Sequence, residues 1–165
     1  GYTLPAAFLH RFREVVAHEP DPLARFLLRR RIGHPALSFE GAVDDLTALA
    51  SQHPDAAFLF CNLLGQDWTG RPAHVWQPMF ADALHGRAWA SYHEVASSTR
   101  APDWPGVPRY DACPDFESLM AGFWSGGELV VEDHGTHGLC PHLPREYTFW
   151  RFLPERHHLI EWLQG

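Results

Sequence analysis

Three adjacent residues, Tyr92, His93 and Glu94, place an imidazole beside a carboxylate near the end of the segment RAWASYHEV. A histidine next to an acidic residue is the simplest general acid–base pair, because imidazole titrates near neutrality. Neighbouring residues of a β-strand point to opposite faces, however, so His93 and Glu94 line one pocket only if the strand ends before them. The three residues are candidate catalytic residues.

A fourth candidate, Asn62, ends the apolar segment AAFLFCN. Open α/β sheets bind ligands beyond the carboxyl ends of their strands, and the side-chain amide of Asn62 offers both a donor and an acceptor there. The same residue type also ends strands by stabilising its own turn, and both interpretations stay open. Cys61 lies inside the apolar segment, so we expect a small buried hydrophobic residue rather than a nucleophile.

A histidine-rich segment at residues 133–142 contains ligand types that suit zinc, namely His134, His137, Cys140 and His142. Their spacing matches no common structural zinc motif. The chain contains twelve histidines, so a histidine-rich turn between strands accounts for the segment without a metal. The sequence therefore predicts no metal site, and a metal-dependent hydrolase built on these four residues is kept as an alternative function.

Composition excludes several classes of function. The chain of 165 residues carries a formal net charge of −7 at pH 7 and has no contiguous basic stripe, so we expect no nucleic-acid binding. No apolar run is long enough to cross a bilayer, which argues against a membrane protein. The three cysteines are widely spaced and odd in number, so they form no disulfide framework. A reducing compartment follows, and we expect a cytoplasmic protein.

The first 35 residues are predicted to be helical. Apolar residues from Phe8 to Val16 follow a helical spacing, and Asp21-Pro22 is a typical start for a second helix. Gly33 is expected to end that helix, whose inward face would carry Leu23, Phe26 and Leu27.

The remaining residues alternate between strand and helix patterns. Ala36–Glu40 is a short strand, and Ala56–Asn62 is apolar throughout, as is typical of a central parallel strand covered on both faces. RAWASYHEV is predicted to lie beside it, and the chain ends in an antiparallel hairpin, REYTFWRFL and HHLIEWL. The expected fold is a single α/β domain over residues 1–165, with a mostly parallel, Rossmann-like sheet and helices on both faces.

Three segments give this chain a family resemblance. FEGAVDDLTALASQHPDAAFLFCNLLGQ resembles the third strand, a helix and the fourth strand of class I S-adenosylmethionine-dependent methyltransferases. GRAWASYHEV is similar to the fifth strand of that family, and REYTFWRFLPERHHLIEWLQ to its closing hairpin. The resemblance covers residues 36–165. It implies methyl transfer to a small-molecule substrate, with Asn62, Tyr92, His93 and Glu94 orienting the acceptor or removing its proton.

The chain departs from this family in the part that binds the cofactor. The glycine-rich turn of the family is absent upstream of residue 36, and Gly41-Ala42 stands where Gly-Asp is common. Asp44 or Asp45 would have to replace that acid, although both are equally good helix caps. We therefore expect no measurable binding of S-adenosylmethionine to this chain. Four functions stay open: an active methyltransferase, a relative that has lost the cofactor, the metal-dependent hydrolase, and a non-catalytic domain that binds a partner through its first two helices.

Overall fold

A computed structural model describes residues 4–63, 72–126 and 130–165, without the side chains of Ala73 and Phe152. The chain divides into two compact units, Gly1–Leu49 and Ala50–Gly165. The expectation of one domain over residues 1–165 stays a prediction. No helix in the described ranges has the length and apolar character needed to span a membrane.

Two parallel strands and two helices make up most of the first unit. Its elements are α1 (Ala6–Leu9), β1 (Val15–His18), α2 (Pro22–Ile32) and β2 (Leu37–Glu40), and α3 (Leu46–Gln52) follows at its end. Strands β1 and β2 pair in parallel, with Val15 opposite Leu37. Leu9, Leu28 and Ile32 form the centre of a small apolar core.

The prediction of a helical segment over residues 1–35 is wrong for Val15–His18. These residues form β1, and the backbone N–H of Val15 donates to the carbonyl of Ala36 over 3.1 Å. Two consecutive β-branched residues lose side-chain freedom in a helix, and the chain offers them a neighbouring strand at Leu37–Glu40. The helical apolar spacing alone could not reveal that neighbour.

Helix α2 confirms its predicted ends but not its predicted buried face. The Asp21 carboxylate accepts from the backbone N–H of Leu23 over 2.9 Å, and Gly33 ends the helix at φ 60°. The buried residues are Ala24, Leu28 and Ile32, one turn apart, whereas Leu23, Phe26 and Leu27 are exposed. Two apolar stripes run along this helix, and periodicity does not determine which of them is covered.

The second unit is built on a sheet of six strands. Its elements are β3 (Phe58–Cys61), α4 (Ala73–Ala83), β4 (Trp89–Ser98), β5 (Arg109–Tyr110), α5 (Phe116–Phe123), β6 (Val131–Asp133), β7 (Arg145–Leu153) and β8 (Arg156–Gln164). The strand order is β3-β4-β8-β7-β5, and β6 pairs with β4.

The strand directions confirm a mixed α/β fold but do not show the expected mostly parallel sheet. Strands β3 and β4 are parallel, as expected for this pair. The pairings β4–β6, β4–β8, β5–β7 and β7–β8 are antiparallel, so the described part of this sheet is mainly antiparallel. The predicted closing hairpin is confirmed as β7 and β8. This hairpin accounts for much of the difference between the expected and the observed strand directions, because β8 lies directly beside β4 in the sheet.

Strand β3 lies at the end of the described strand order, so its predicted central position is wrong. One side of this strand is covered by aromatic residues. Phe60 contacts Phe80 of α4 at 4.9 Å between ring centroids, whereas Leu59, on the other face of β3, is exposed. An unbroken apolar run is therefore compatible with an edge strand that is covered on one face only.

The hairpin and α5 form the main core of the second unit. Tyr147 of β7 lies opposite Glu161 of β8, and His93 of β4 lies opposite the same glutamate. The core continues through Leu119 and Phe123 of α5. The sheet thereby brings polar side chains of three strands into register.

Candidate functional site

Strand β4 delivers its two adjacent titratable residues to opposite faces of the sheet. The strand does not end before His93 but continues to Ser98, so alternation separates His93 from Glu94. His93 Nε2 lies 3.3 Å from Glu161 Oε1, whereas the Glu94 carboxylate contacts His134 and His158. The two residues therefore belong to different sites and cannot act as one acid–base pair.

Glu94, His134 and His158 form a half-buried group that we call the Glu94 cluster. His134 Nε2 lies 3.0 Å from Glu94 Oε1, and His158 Nδ1 is hydrogen-bonded to the same oxygen. The side chains of Glu94, His134 and His158 are 15%, 17% and 13% exposed. One carboxylate is thus shared by two imidazoles at a place that water reaches.

Two different elements supply the imidazoles of this cluster. His134 follows β6, where its backbone N–H donates to the carbonyl of Val95 over 3.0 Å. The turn after it is fixed by Gly135, at φ 68°, whose N–H donates to the Asp133 carboxylate. His158 lies on β8 opposite Ser97 of β4. The antiparallel pairings of β4 with β6 and β8 therefore assemble the cluster.

Electrostatics couple the carboxylate to its imidazoles. Burial by itself would raise the pKa of Glu94, but the hydrogen bonds from His134 and His158 outweigh it and lower that pKa below its ordinary value. The hydrogen bond to Glu94 raises the pKa of His134 despite the opposing effect of burial. A proton taken up by His134 is thus held more firmly than on a free imidazole.

Asn62 joins the cluster through the backbone. Its side-chain oxygen accepts from the Glu94 N–H over 3.1 Å, and its own N–H donates to the Tyr92 carbonyl over 2.7 Å. Asn62 adopts φ 53°, a left-handed conformation that asparagine tolerates better than most residues. This geometry favours its structural role at the end of β3, next to the candidate site.

Tyr92 is buried, as His93 is, whereas Asn62 and Glu94 are half-buried. The Tyr92 ring lies 5.3 Å from that of Trp150 and 5.1 Å from that of Trp162, measured between centroids. Its exposure is 2%. Tyr92 therefore packs beneath an aromatic patch of the sheet.

Polar residues border the cluster on one side. Ser97 Oγ lies 3.3 Å from His134 Nε2 and accepts a hydrogen bond from Arg156 over 3.2 Å. Arg156 also pairs with the exposed carboxylate of Glu132. Ser97 and Arg156 thus add a hydroxyl and a positive charge near the His134 imidazole.

His93 belongs to a fully buried group that we call the Glu161 network: His93, Arg145, Tyr147 and Glu161. Arg145 Nη1 donates to Glu161 Oε2 over 3.0 Å, and the Tyr147 hydroxyl donates to the same oxygen over 2.5 Å. None of the four residues is more than 1% exposed. Burial would raise the pKa of Glu161, but His93 and Arg145 outweigh it and lower that pKa. The network is a buried ion-pair system, so His93 has no access to a solvent-borne substrate.

The four residues of the histidine-rich segment do not converge. His134 contacts Glu94, whereas His137 Nε2 contacts the Pro114 carbonyl at 2.9 Å and Cys113 Sγ at 3.5 Å. His142 is exposed. Within the described ranges, the one group of three or more potential metal ligands is Cys113, His137 and Glu161.

The two aspartates considered for the cofactor lie in the first unit. Both are exposed, and the Asp45 carboxylate accepts from the Ala48 N–H over 3.0 Å at the start of α3. This hydrogen bond is that of a helix cap. A cofactor-binding role for Asp44 and Asp45 stays a prediction.

Sequence reasoning missed His158 and assigned His134 to a different set. From the sequence alone, alternation along the strand indicates only that one residue of the pair His157-His158 points outward. It assigns a function to neither residue. The predicted hairpin indicated that β8 exists, but the register of β8 against β4 brings His158 to Glu94 across 64 residues of sequence. No pattern within a short stretch of the sequence predicts that register.

The fold and the site define a mixed α/β protein with a carboxylate held between two imidazoles. No family model, curated protein or solved structure matches the chain significantly.

Proposed function

We propose that this chain is a methyltransferase-like domain whose Glu94 cluster binds a small molecule with an acidic hydroxyl or amine group and accepts its proton. The observation that carries this proposal is the order and direction of four neighbouring strands, β3-β4-β8-β7. The β3–β4 pairing is parallel, and the β4–β8 and β8–β7 pairings are antiparallel. Class I methyltransferase sheets end in a reversed hairpin of this kind. We propose on the same ground that the sheet is Rossmann-like.

The position of the cluster supports a binding role. In open α/β sheets ligands bind beyond the carboxyl ends of parallel strands. Strand β3 ends at Cys61, and the next residue, Asn62, is hydrogen-bonded to the backbone of Glu94. The cluster therefore lies beside the end of β3, where this class of fold receives its substrates.

The cluster also has the chemistry for proton transfer. Neutral His134 can accept a proton from a bound hydroxyl, and the resulting imidazolium is stabilised by Glu94 at 3.0 Å. The shared carboxylate also orients the ring, as a carboxylate does in catalytic dyads. His158 is hydrogen-bonded to the same carboxylate oxygen.

We expect S-adenosylmethionine not to bind the described residues that the resemblance assigns to it. The Asp45 carboxylate is engaged as a helix cap, and the first unit contains no glycine-rich turn after a described strand. We therefore assign no methyl-transfer step to this chain. The proposed activity is binding and deprotonation of the small molecule.

A test is an NMR titration of protein with ¹⁵N-labelled histidine against three probes: phenol, a primary alkylamine and a carboxylic acid. We expect phenol to shift the ring signals of His134 and His158 in the wild type. Glu94→Gln should abolish the effect, because it removes the negative charge that holds both imidazoles. Glu132→Gln is the matched control, since Glu132 is an exposed carboxylate on the border of the cluster. Equal shifts in Glu94→Gln and wild type, or none with any probe, would contradict the proposal.

A second function, a partner-binding domain, is favoured by the exposure of helix α2. Leu23 and Phe26 are 63% and 57% exposed, and Leu27 lies beside them. Contiguous exposed apolar residues are typical of interaction surfaces. Sedimentation of the wild type and of Phe26→Ser would test it: self-association in the wild type that Phe26→Ser removes would support this function.

The structure does not support a metal-dependent hydrolase on His134, His137, Cys140 and His142, because His134 contacts Glu94 whereas His137 contacts Cys113.

A further inference from the structure

A second group of potential ligands lies on the opposite face of β4 and β8 from the Glu94 cluster. It consists of Cys113, His137 and Glu161, whose ligand atoms all lie within 4.8 Å of one another. Cys113 is anchored beside the loop after β6, because its backbone N–H donates to the Pro141 carbonyl over 2.9 Å. Three separate segments thus contribute one ligand atom each.

We propose that Cys113, His137 and Glu161 bind a zinc ion. This inference is independent of the proposed function, which uses the other face of the sheet. Thiolate, imidazole and carboxylate are the three protein ligand types that zinc accepts.

The separation of the first two ligand atoms fits a tetrahedral ion. Zinc–sulfur and zinc–nitrogen bonds of about 2.3 and 2.0 Å at the tetrahedral angle place the two ligand atoms about 3.5 Å apart. Cys113 Sγ and His137 Nε2 lie 3.5 Å apart in the structure. The two ligand atoms therefore need little movement to bind the ion, although His137 Nε2 must give up its hydrogen bond to the Pro114 carbonyl at 2.9 Å.

The carboxylate supplies a buried oxygen that lacks a hydrogen bond. Arg145 and Tyr147 both donate to Glu161 Oε2, whereas Glu161 Oε1 is buried and has no hydrogen-bond partner in the described part of the chain. An unsatisfied buried acceptor of this kind is costly and calls for a further partner. A carboxylate oxygen of Glu161 lies within 4.8 Å of the ligand atoms of Cys113 and His137, so a cation bound by that pair also reaches this carboxylate.

His93 supports the same carboxylate oxygen. Its Nε2 lies 3.3 Å from Glu161 Oε1 without hydrogen-bond geometry, and its Nδ1 contacts Ser91 Oγ at 2.9 Å. His93 is therefore fixed beside the third ligand and can orient it, as residues behind metal ligands do.

Binding replaces one proton by the ion. The Cys113 thiol loses its proton when the zinc–sulfur bond forms, because the thiolate is the metal ligand. Zinc binding to His137 Nε2 replaces the hydrogen bond from this atom to the Pro114 carbonyl and leaves the ring proton on Nδ1. The formal charge of the group rises by one beside Arg145, which limits the affinity. Because a proton is released, the affinity must increase with pH.

The test is a titration of the reduced protein with Co²⁺ as a spectroscopic probe, followed by competition with Zn²⁺. We expect one equivalent of Co²⁺, a thiolate-to-cobalt absorption band, and displacement of the ion by Zn²⁺. Cys113→Ser should weaken binding at least about tenfold and remove the band. Cys140→Ser is the matched control, since Cys140 is also half-buried with a pKa raised by burial but lies outside the group. It should bind as the wild type does.

Thermal unfolding of both variants shows whether Cys113→Ser is folded, and His137→Gln is a second ligand variant if it is not. Binding that is equal in Cys113→Ser and Cys140→Ser would overturn the proposal. So would the absence of a thiolate band, or an affinity that does not increase between pH 6 and pH 8.

Discussion

The two faces of strands β4 and β8 carry the same residue types in different surroundings. On one face Glu94 is shared by two imidazoles, each more than a tenth exposed. On the other face Glu161 is paired with His93 and Arg145, and all three are essentially inaccessible. A carboxylate beside a histidine is thus partly exposed to solvent in one case and belongs to a core ion pair in the other. Solvent access, rather than residue type, separates the two.

The largest effect is expected from the buried face. Glu161→Ala should lower the free energy of unfolding by about 3–5 kcal/mol, because it leaves the buried Arg145 guanidinium without its partner. Urea unfolding at neutral pH measures this. Glu146→Ala is the matched control, since Glu146 pairs with Arg109 over 3.5 Å at the surface and should cost about 0–1 kcal/mol. Similar small losses for the two variants would remove the distinction between the faces.

The open face should respond to pH. The pKa of Glu94 lies below its ordinary value of 4.5 and that of His134 lies above its ordinary value of 6.5. The carboxylate contribution is present above pH 4.5 and lost as pH falls through the lowered pKa. The imidazolium contribution is present below pH 6.5 and lost as pH rises through the raised pKa.

The ion pair therefore stabilises the fold fully between about pH 4.5 and 6.5. Glu94→Gln should cost about 1 kcal/mol more at pH 5.5 than at pH 9, measured by urea unfolding. The same variant should bring the His134 pKa back toward its ordinary value in an NMR titration. A cost that does not change with pH would show that Glu94 and His134 are not coupled.

A smaller effect should come from Asn62, which links β3 to the open face. Asn62→Ala should cost about 1 kcal/mol, because it removes the acceptor for the Glu94 N–H and places alanine at φ 53°. Asn62→Gly removes the same acceptor but accepts the left-handed conformation, so it should cost less. Thermal unfolding compares the two variants. A larger loss in Asn62→Gly than in Asn62→Ala would show that the backbone conformation is not the constraint.

The smallest expected signal concerns the cofactor. Calorimetric titration with S-adenosylmethionine should give no binding at micromolar concentrations, because the glycine-rich turn is absent and Asp45 caps a helix. Micromolar binding would show that the first unit had been misinterpreted. It would also return the active methyltransferase to first place among the functions.

Local sequence signals predicted local structure well. Asp21 caps a helix and Gly33 ends it, because each acts within a few residues of itself. The closing hairpin followed from alternation and its turn. The face of α2 that is buried and the edge position of β3 were not predictable, because both depend on what packs against these elements.

The candidate site divides in the same way. Tyr92, His93 and Glu94 were identifiable as residues that could carry chemistry, and alternation correctly warned that His93 and Glu94 separate. Their partners were not identifiable, because Glu161 and His158 reach β4 only through the register of β8. That register depends on the bulge of β4 between Glu94 and Ala96 and on the packing of the whole sheet.

The contrast between the two faces is tested most directly by one NMR spectrum that contains the ring signals of both His134 and His93. On addition of phenol, the account predicts concentration-dependent shifts of the His134 ring nitrogens and no change for His93. Shifts of His93, which is completely buried, or an unchanged His134 in folded protein, would contradict the assignment of the Glu94 cluster as the ligand-binding site.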